Sequence, residues 1–145
     1  MKITTTTVDA TRALGASFAE KARPGDCLVL EGELGAGKTE FVRGFVAALS
    51  AGAAVRSPSF SILNIYETPR LAVYHFDFYR LADATELHEI GFDDYAASEG
   101  VCLIEWGTLF PEVLPSQAMT IRFRDLGNGI REIDIGREMP PVTGQ

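Results

Sequence analysis

The stretch Gly32-Glu33-Leu34-Gly35-Ala36-Gly37-Lys38-Thr39 lies between the apolar run Cys27-Leu28-Val29-Leu30 and a segment with helical apolar spacing. It is a complete G-x-x-x-x-G-K-[ST] phosphate-binding loop in the strand-to-helix setting that such a loop requires. Its backbone N–H groups must close around phosphate oxygens, and Gly32 and Gly37 admit the dihedrals and close approach this demands. Lys38 is expected to bring a point charge to the β- and γ-phosphates and Thr39 a hydroxyl to Mg²⁺, with the following helix aiming its N-terminal dipole at the anion. Glu40, favoured by that dipole but repelled by phosphate, is expected to point outward into solvent.

Working outward, Pro24-Gly25-Asp26 is a turn that introduces Cys27–Leu30 as a buried parallel strand. Phe41, Val42, Phe45, Val46 and Leu49 fall on one face of the helix after the loop, with Arg43 at its edge. Upstream, Asp9 can cap a helix running to about Lys21, with Ala10, Ala13, Leu14, Ser17 and Phe18 on one face and Gly15 weakening it. Downstream, a small-residue connection from Ser50 to Ala54 leads through Arg56–Ser61 to strands at Ile62–Glu67 and Leu71–Phe78. Their short Thr68-Pro69 connection cannot make a parallel crossover, so they form an antiparallel hairpin. Asp83 with Glu86 forms a capping box for a short helix ending near Gly91, and a second helical turn covers Asp93 to Ala97. Val101–Ile104 is a further buried strand, and Met119–Phe123 with Ile130–Ile135 makes a hairpin about Gly127-Asn128-Gly129. The expected fold is α/β: a three-layer P-loop NTPase-like domain over residues 1–139, with a mixed, mainly parallel central sheet and antiparallel hairpins. Residues 140–145 are expected to be a flexible C-terminal tail.

The 145 residues suit one domain. The formal net charge is −7 and the only lysines are Lys2, Lys21 and Lys38, which argues against tight autonomous binding to nucleic acid and favours a protein partner or a compact ligand. Apolar runs fall short of a membrane span and the N-terminal stretch has no signal-peptide core, so a cytoplasmic protein is expected. Cys27 and Cys102 fall inside buried strands without zinc-site spacing and read as structural thiols.

A phosphate loop works with a second acid at the end of another buried strand. Glu105, after four apolar residues, fits that position. Asp77 is the second candidate, because alternation places His75, Asp77 and Tyr79 on one strand face and Tyr74, Phe76 and Phe78 on the other. Asp77 reads equally as catalytic support or as a structural hydrogen-bond acceptor, whereas His75 reads as a hydrogen-bonded structural histidine. Ser57, Ser59 and Ser61 suit either a nucleotide-sensing segment or turn chemistry around Pro58. Trp106, the only Trp, could cover the site but on burial statistics packs in the core. Thr11 and Arg131 could approach a nucleobase from the two ends of the chain.

Four ordered segments together resemble the TsaE family, formerly YjeE-type proteins. Residues 32–39 are similar to the family's G-D-L-G-A-G-K-T, and Ser57-Pro58-Ser59-Phe60-Ser61 to S-P-T-[FY]-T. Tyr74-His75-Phe76-Asp77-Phe78-Tyr79-Arg80-Leu81 resembles Y-H-F-D-L-Y-R-L, and Leu103-Ile104-Glu105-Trp106 resembles L-[IV]-E-W. The resemblance implies an ATPase component of bacterial tRNA threonylcarbamoyladenosine biosynthesis, using ATP/ADP and Mg²⁺ and acting with TsaB and TsaD, which hold the tRNA. It implies Leu34, Gly35, Ala36, Gly37, Lys38 and Thr39 on the ATP phosphates, Thr39 and Glu105 at Mg²⁺, Asp77 supporting hydrolysis, Ser59 as switch hydroxyl and Trp106 beside the site. Ser stands for Thr at 59 and 61, and Gly107 where many members have Pro. Three other readings of the loop compete: a small-molecule kinase, a GTPase and an ATP-switched binding module with negligible hydrolysis. A kinase lid rich in Arg is missing from the sequence, and Asn occurs only at 64 and 128, so the N-K-x-D guanine signature is absent.

Overall fold

The computed structural model describes residues 1–33, 35–50 and 62–136. Expectations placed on Leu34, on Ser57, Ser59 and Ser61, and on the tail from 140 lie outside the described residues. In chain order the elements are β1 (Lys2–Thr5), α1 (Val8–Lys21), β2 (Cys27–Gly32), α2 (Lys38–Leu49), β3 (Leu63–Tyr66), β4 (Val73–Asp77), α3 (Thr85–Glu89), α4 (Phe92–Ala96), β5 (Val101–Glu105), β6 (Met119–Gly127) and β7 (Ile130–Gly136). Short 3-10 turns follow β4 and β5.

The seven strands of the described residues form one mixed sheet in the order β1-β7-β6-β2-β5-β4-β3. Its centre, β6-β2-β5-β4, is parallel, while β3 on one side and β7 and β1 on the other pair antiparallel. β2 and β5 are covered on both faces, which is why each reads as an unbroken apolar run rather than an alternating one. Leu28 and Leu30 of β2 point into a core shared with Phe41, Phe45 and Val46 of α2. Cys27 and Val29 point the other way, into a core with Phe76, Phe78, Leu87 and Phe92. The two expected hairpins, β3-β4 and β6-β7, are both present. The second turns at Asn128 (φ 56°) and Gly129 (φ 79°), the pair of positive dihedrals that a two-residue hairpin turn demands. Among the described residues, no helix is long and apolar enough to cross a membrane.

Several local expectations need correction. The sequence pattern does not mark β1: Lys2-Ile3-Thr4-Thr5 is an edge strand with only Thr5 buried, so it carries no apolar alternation to reveal it. The cap of α1 is Thr7, whose side chain accepts from the Ala10 N–H at 3.0 Å, and Asp9 sits in the first turn. The deepest face of α1 is Thr11, Gly15 and Ala19, flanked by Leu14 and Phe18, and Ala13 is exposed. Gly15 is therefore not a weak point but a contact. A Cβ added there would lie 2.0 Å from the Phe41 carbonyl oxygen of α2, and one at Gly44 of α2 would lie 1.9 Å from the Arg12 carbonyl oxygen. The two helices cross backbone to backbone.

At α3, the Asp83 carboxylate accepts from the Thr85 N–H at 2.9 Å, and Glu86 reaches back to the Ala82 N–H at 2.6 Å, one residue before the donor of a standard capping box. β4 ends at Asp77, whose carboxylate accepts from the Tyr79 N–H at 3.0 Å and starts a 3-10 turn over Phe78–Arg80. That turn breaks the alternation expected from His75 to Tyr79. His75 is fully buried, Asp77 half-buried, and Tyr79 stands out from the surface.

Candidate functional site

The site is built where β2 hands over to α2. Gly32 closes the strand at φ 149°, and a Cβ there would lie 2.6 Å from the Phe123 carbonyl oxygen of β6, so no larger residue fits. Gly37 (φ 113°) starts α2 in a left-handed conformation that other residues rarely adopt. The first N–H groups of α2 have no acceptor within their own helix and carry its positive dipole end toward the loop.

Lys38, the first residue of α2, is buried with 4% of its surface exposed. Its Nζ donates to the Gly32 carbonyl at 2.6 Å, stands 3.7 Å from Glu105 Oε1 and lies 4.4 Å from the centre of the Trp106 ring. Glu105 ends β5, beside Leu30 of β2 on one side and Asp77 of β4 on the other. Its other carboxylate oxygen, Oε2, is 2.7 Å from His75 Nε2. Burial raises the Glu105 pKa, but the His75 hydrogen bond and the charges of His75 and Lys38 outweigh it and leave the carboxyl below its ordinary value. Asp77 moves the other way. Burial raises it, the Tyr79 N–H opposes this, and the neighbouring Glu105 charge adds to the rise.

A cleft of about 360 Å³ opens over these groups. Lys38, Thr39 and Glu105 form one side, with Gly35 and Gly37 from the loop. Thr6, Thr7, Val8 and Thr11 close it from the N-terminal end, and Gly129 and Arg131 from the β6-β7 hairpin. Thr11 is held by a 2.8 Å bond between its hydroxyl and that of Thr5. Arg131 donates to the Gly35 carbonyl at 3.3 Å and pairs with Asp125 at 3.0 Å, so its guanidinium is tied to the glycine loop itself.

The structure thus brings Thr11, Gly35, Gly37, Lys38, Thr39, Glu105 and Arg131 to one cleft. Ala36 instead turns its methyl into the core and donates its N–H to the Glu33 carbonyl at 3.1 Å. Asp77 is not among the lining residues and stands beside Glu105 in the next strand. Trp106, placed in the core by its residue type and beside the site by the resemblance, is half-buried against the second core with Lys38 Nζ 4.4 Å from its ring centre and the Tyr79 ring centre 5.1 Å away. Glu40 departs from its expected outward orientation: it lines the cleft and accepts from Arg12 at 2.7 Å and Arg43 at 2.6 Å. The close crossing of α1 and α2 brings Arg12 within reach, which the sequence of α2 alone does not disclose. His75 is hydrogen-bonded as expected, but its partner is the candidate acid. Glu31, just ahead of the loop, accepts from both the N–H (3.2 Å) and the hydroxyl (2.8 Å) of Thr108, tying the end of β2 to the turn after Trp106. Nothing in the local pattern marked that link.

The family profile described as threonylcarbamoyl adenosine biosynthesis protein TsaE matches residues 5–133. The chain belongs to the TsaE family. The match spans every residue that lines the cleft, from Thr6 to Arg131. A Bacillus subtilis protein named tRNA threonylcarbamoyladenosine biosynthesis protein TsaE is 41% identical over 133 residues, covering 92% of this chain and 83% of the relative. The TsaE of Treponema pallidum is 41% identical over 111 residues, covering 77% and 82%. The crystal structure of Bacillus subtilis YdiB superposes with a TM-score of 0.82 at 37% identity, covering 96% of this chain and 86% of that one. YdiB therefore shares this chain's fold.

Proposed function

We propose that this TsaE-family chain is a P-loop NTPase-like ATPase that serves the threonylcarbamoyladenosine modification of tRNA, at the adenosine beside the anticodon of ANN-decoding tRNAs. It binds MgATP, hydrolyses it slowly alone, and resets a complex with TsaB and TsaD, which carry the transfer chemistry and the tRNA. The observation that carries this reading is the position of Lys38 Nζ, poised between the Gly32 carbonyl and Glu105 at the mouth of the glycine loop. A triphosphate oxygen is a stronger, charged acceptor than a carbonyl, so ATP would draw the ammonium off Gly32. The loop amides and the start of α2 would hold the same phosphates.

The oxygen donors fit Mg²⁺, a hard cation that takes few protein ligands beside phosphate and water. The Thr39 hydroxyl and the Glu105 carboxylate face one cleft, and Glu105 is held ionised by its two basic neighbours. Bound there, Mg²⁺ would neutralise charge on the phosphates. Among the described residues no group of three or more His, Cys, Asp or Glu could hold a metal alone, which suits an ion shared with the nucleotide. Asp77, with its raised pKa, suits the role of proton acceptor near an attacking water. Thr11 and Arg131 approach the nucleoside end, and Ser59 serves as switch hydroxyl.

ATP turnover measured with and without TsaB and TsaD tests the proposal. Stimulation by the partners is expected, and equal rates would sink the partner-dependent mechanism. The second reading, an ATP switch with negligible hydrolysis, draws support from Asp77 standing outside the cleft lining with its carboxylate bonded to Tyr79. Complex assembly that follows ATP binding without turnover would favour it.

A further inference from the structure

We infer that His75 is a positioning residue for Glu105: its Nε2–H holds one carboxylate oxygen so that the other faces Lys38 and the cleft. The inference rests on the role proposed for Glu105 and deepens it. β4 and β5 run parallel with His75 opposite Leu103 and Asp77 opposite Glu105, so the imidazole sits in the sheet two positions before the acid. It is completely buried, and its Nε2 lies 2.7 Å from Glu105 Oε2. Glu105 Oε1 is the oxygen that meets Lys38, at 3.7 Å. The two oxygens are thus given different partners, one inside the sheet and one at the cleft.

An ionised carboxylate only accepts hydrogen bonds, so a proton of this pair belongs on Nε2. Among the described residues, His75 Nδ1 is the buried side-chain polar atom left without a hydrogen-bond partner. Burying a ring nitrogen unpaired is costly, and an apolar side chain of similar size would avoid that cost. Among the described residues the ring's one hydrogen bond goes to Glu105, and it restricts rotation of a carboxylate that must present a fixed oxygen to a cation. Groups that orient ligating side chains in this way typically change metal affinity or activity by about 10- to 100-fold when removed.

The test uses the full chain with three variants and two readouts. Histidine ¹⁵N NMR of the nucleotide-free protein should show His75 protonated on Nε2; protonation on Nδ1 alone would overturn the inference. Calorimetric binding of ADP at a series of Mg²⁺ concentrations then gives the apparent Mg²⁺ affinity. His75→Leu should weaken it by about 10- to 100-fold, and His75→Gln, whose amide can reach the same oxygen, should restore most of the loss. His75→Asn, polar but too short to reach, should behave like Leu, so the Asn and Gln pair decides the matter even where Leu fails to fold. Equal affinities for Asn, Gln and the unaltered chain would overturn the inference. Glu105→Gln separates it from the reading beneath: unaltered Mg²⁺ affinity in that variant removes Glu105 from the cation, whereas a loss there with normal His75 variants removes only His75.

Discussion

Gly44→Ala sets two physical rules against each other. In an exposed helix interior the change would stabilise by about 1 kcal/mol, because Ala is the better helix former. Here the new Cβ would lie 1.9 Å from the Arg12 carbonyl oxygen, 2.5 Å from its carbon and 2.7 Å from its Cα. A carbon-to-oxygen contact needs roughly 3.3 Å, so α1 and α2 must separate by something over 1 Å. The obstacle is helix backbone, which cannot swing aside like the end of a side chain. Overpacking of this kind costs about 1–3 kcal/mol and occasionally more, and a backbone clash belongs at the top of that range. The gain in propensity offsets about 1 kcal/mol, leaving a net loss of roughly 2 kcal/mol. For a chain of this size that is a fall in Tm of about 4–8 °C. The same separation would draw Arg12 from Glu40 at the cleft, so nucleotide affinity should fall as well. Urea and thermal unfolding followed by circular dichroism, with nucleotide titration alongside, measure both effects. A variant as stable as the parent, or more stable, would refute the backbone-contact account of the crossing.

Two further outcomes follow from the site and the core. Because Trp106 is the only Trp and Lys38 lies 4.4 Å from its ring, adding nucleotide should change the tryptophan emission as the ammonium leaves for phosphate. Lys38→Ala should abolish that change and weaken nucleotide binding roughly 10- to 100-fold, the worth of one charged hydrogen bond; an intact response would remove Lys38 from phosphate contact. Burial pushes the Cys102 thiol from its ordinary 9.0 up to about 12 and raises Cys27 as well, so neither should react with a thiol reagent at pH 8 until urea unfolds the chain. As pH climbs past 9 the unfolded chain releases thiol protons that the folded chain retains, so stability should fall with rising pH in that window; fast labelling of the native protein, or stability that does not fall, would contradict the burial.

What could be read in advance depended on how local its cause was. The glycine loop, the apolar runs of β2 and β5 and the Asn128-Gly129 turn each carry their signal within a few residues, and each was found in place. β1 was not legible, since an edge strand with one buried residue has no alternation to display. The sequence of α2 does not disclose the orientation of Glu40, because its partner Arg12 arrives from another helix through the glycine crossing. His75 showed its face but not its partner, which is fixed only by the parallel register of β4 against β5. The cleft rim from Thr6 to Thr11 could be named at Thr11 alone, because the pairing of β1 with β7 sets the rest.

That pairing has a consequence for the order in which the protein can become competent. The loop side of the cleft, Gly35 to Thr39, joins β2 to α2, which neighbour each other along the chain. Its rim needs Thr6 to Thr11 beside Gly129 and Arg131, and these meet only when contacts such as Met1 to Ile135, 134 residues apart, have closed. Contacts of such high sequence separation form late and at an entropic cost. Ligand grip would therefore report closure of the β1-β7 pairing and not only formation of the loop between β2 and α2.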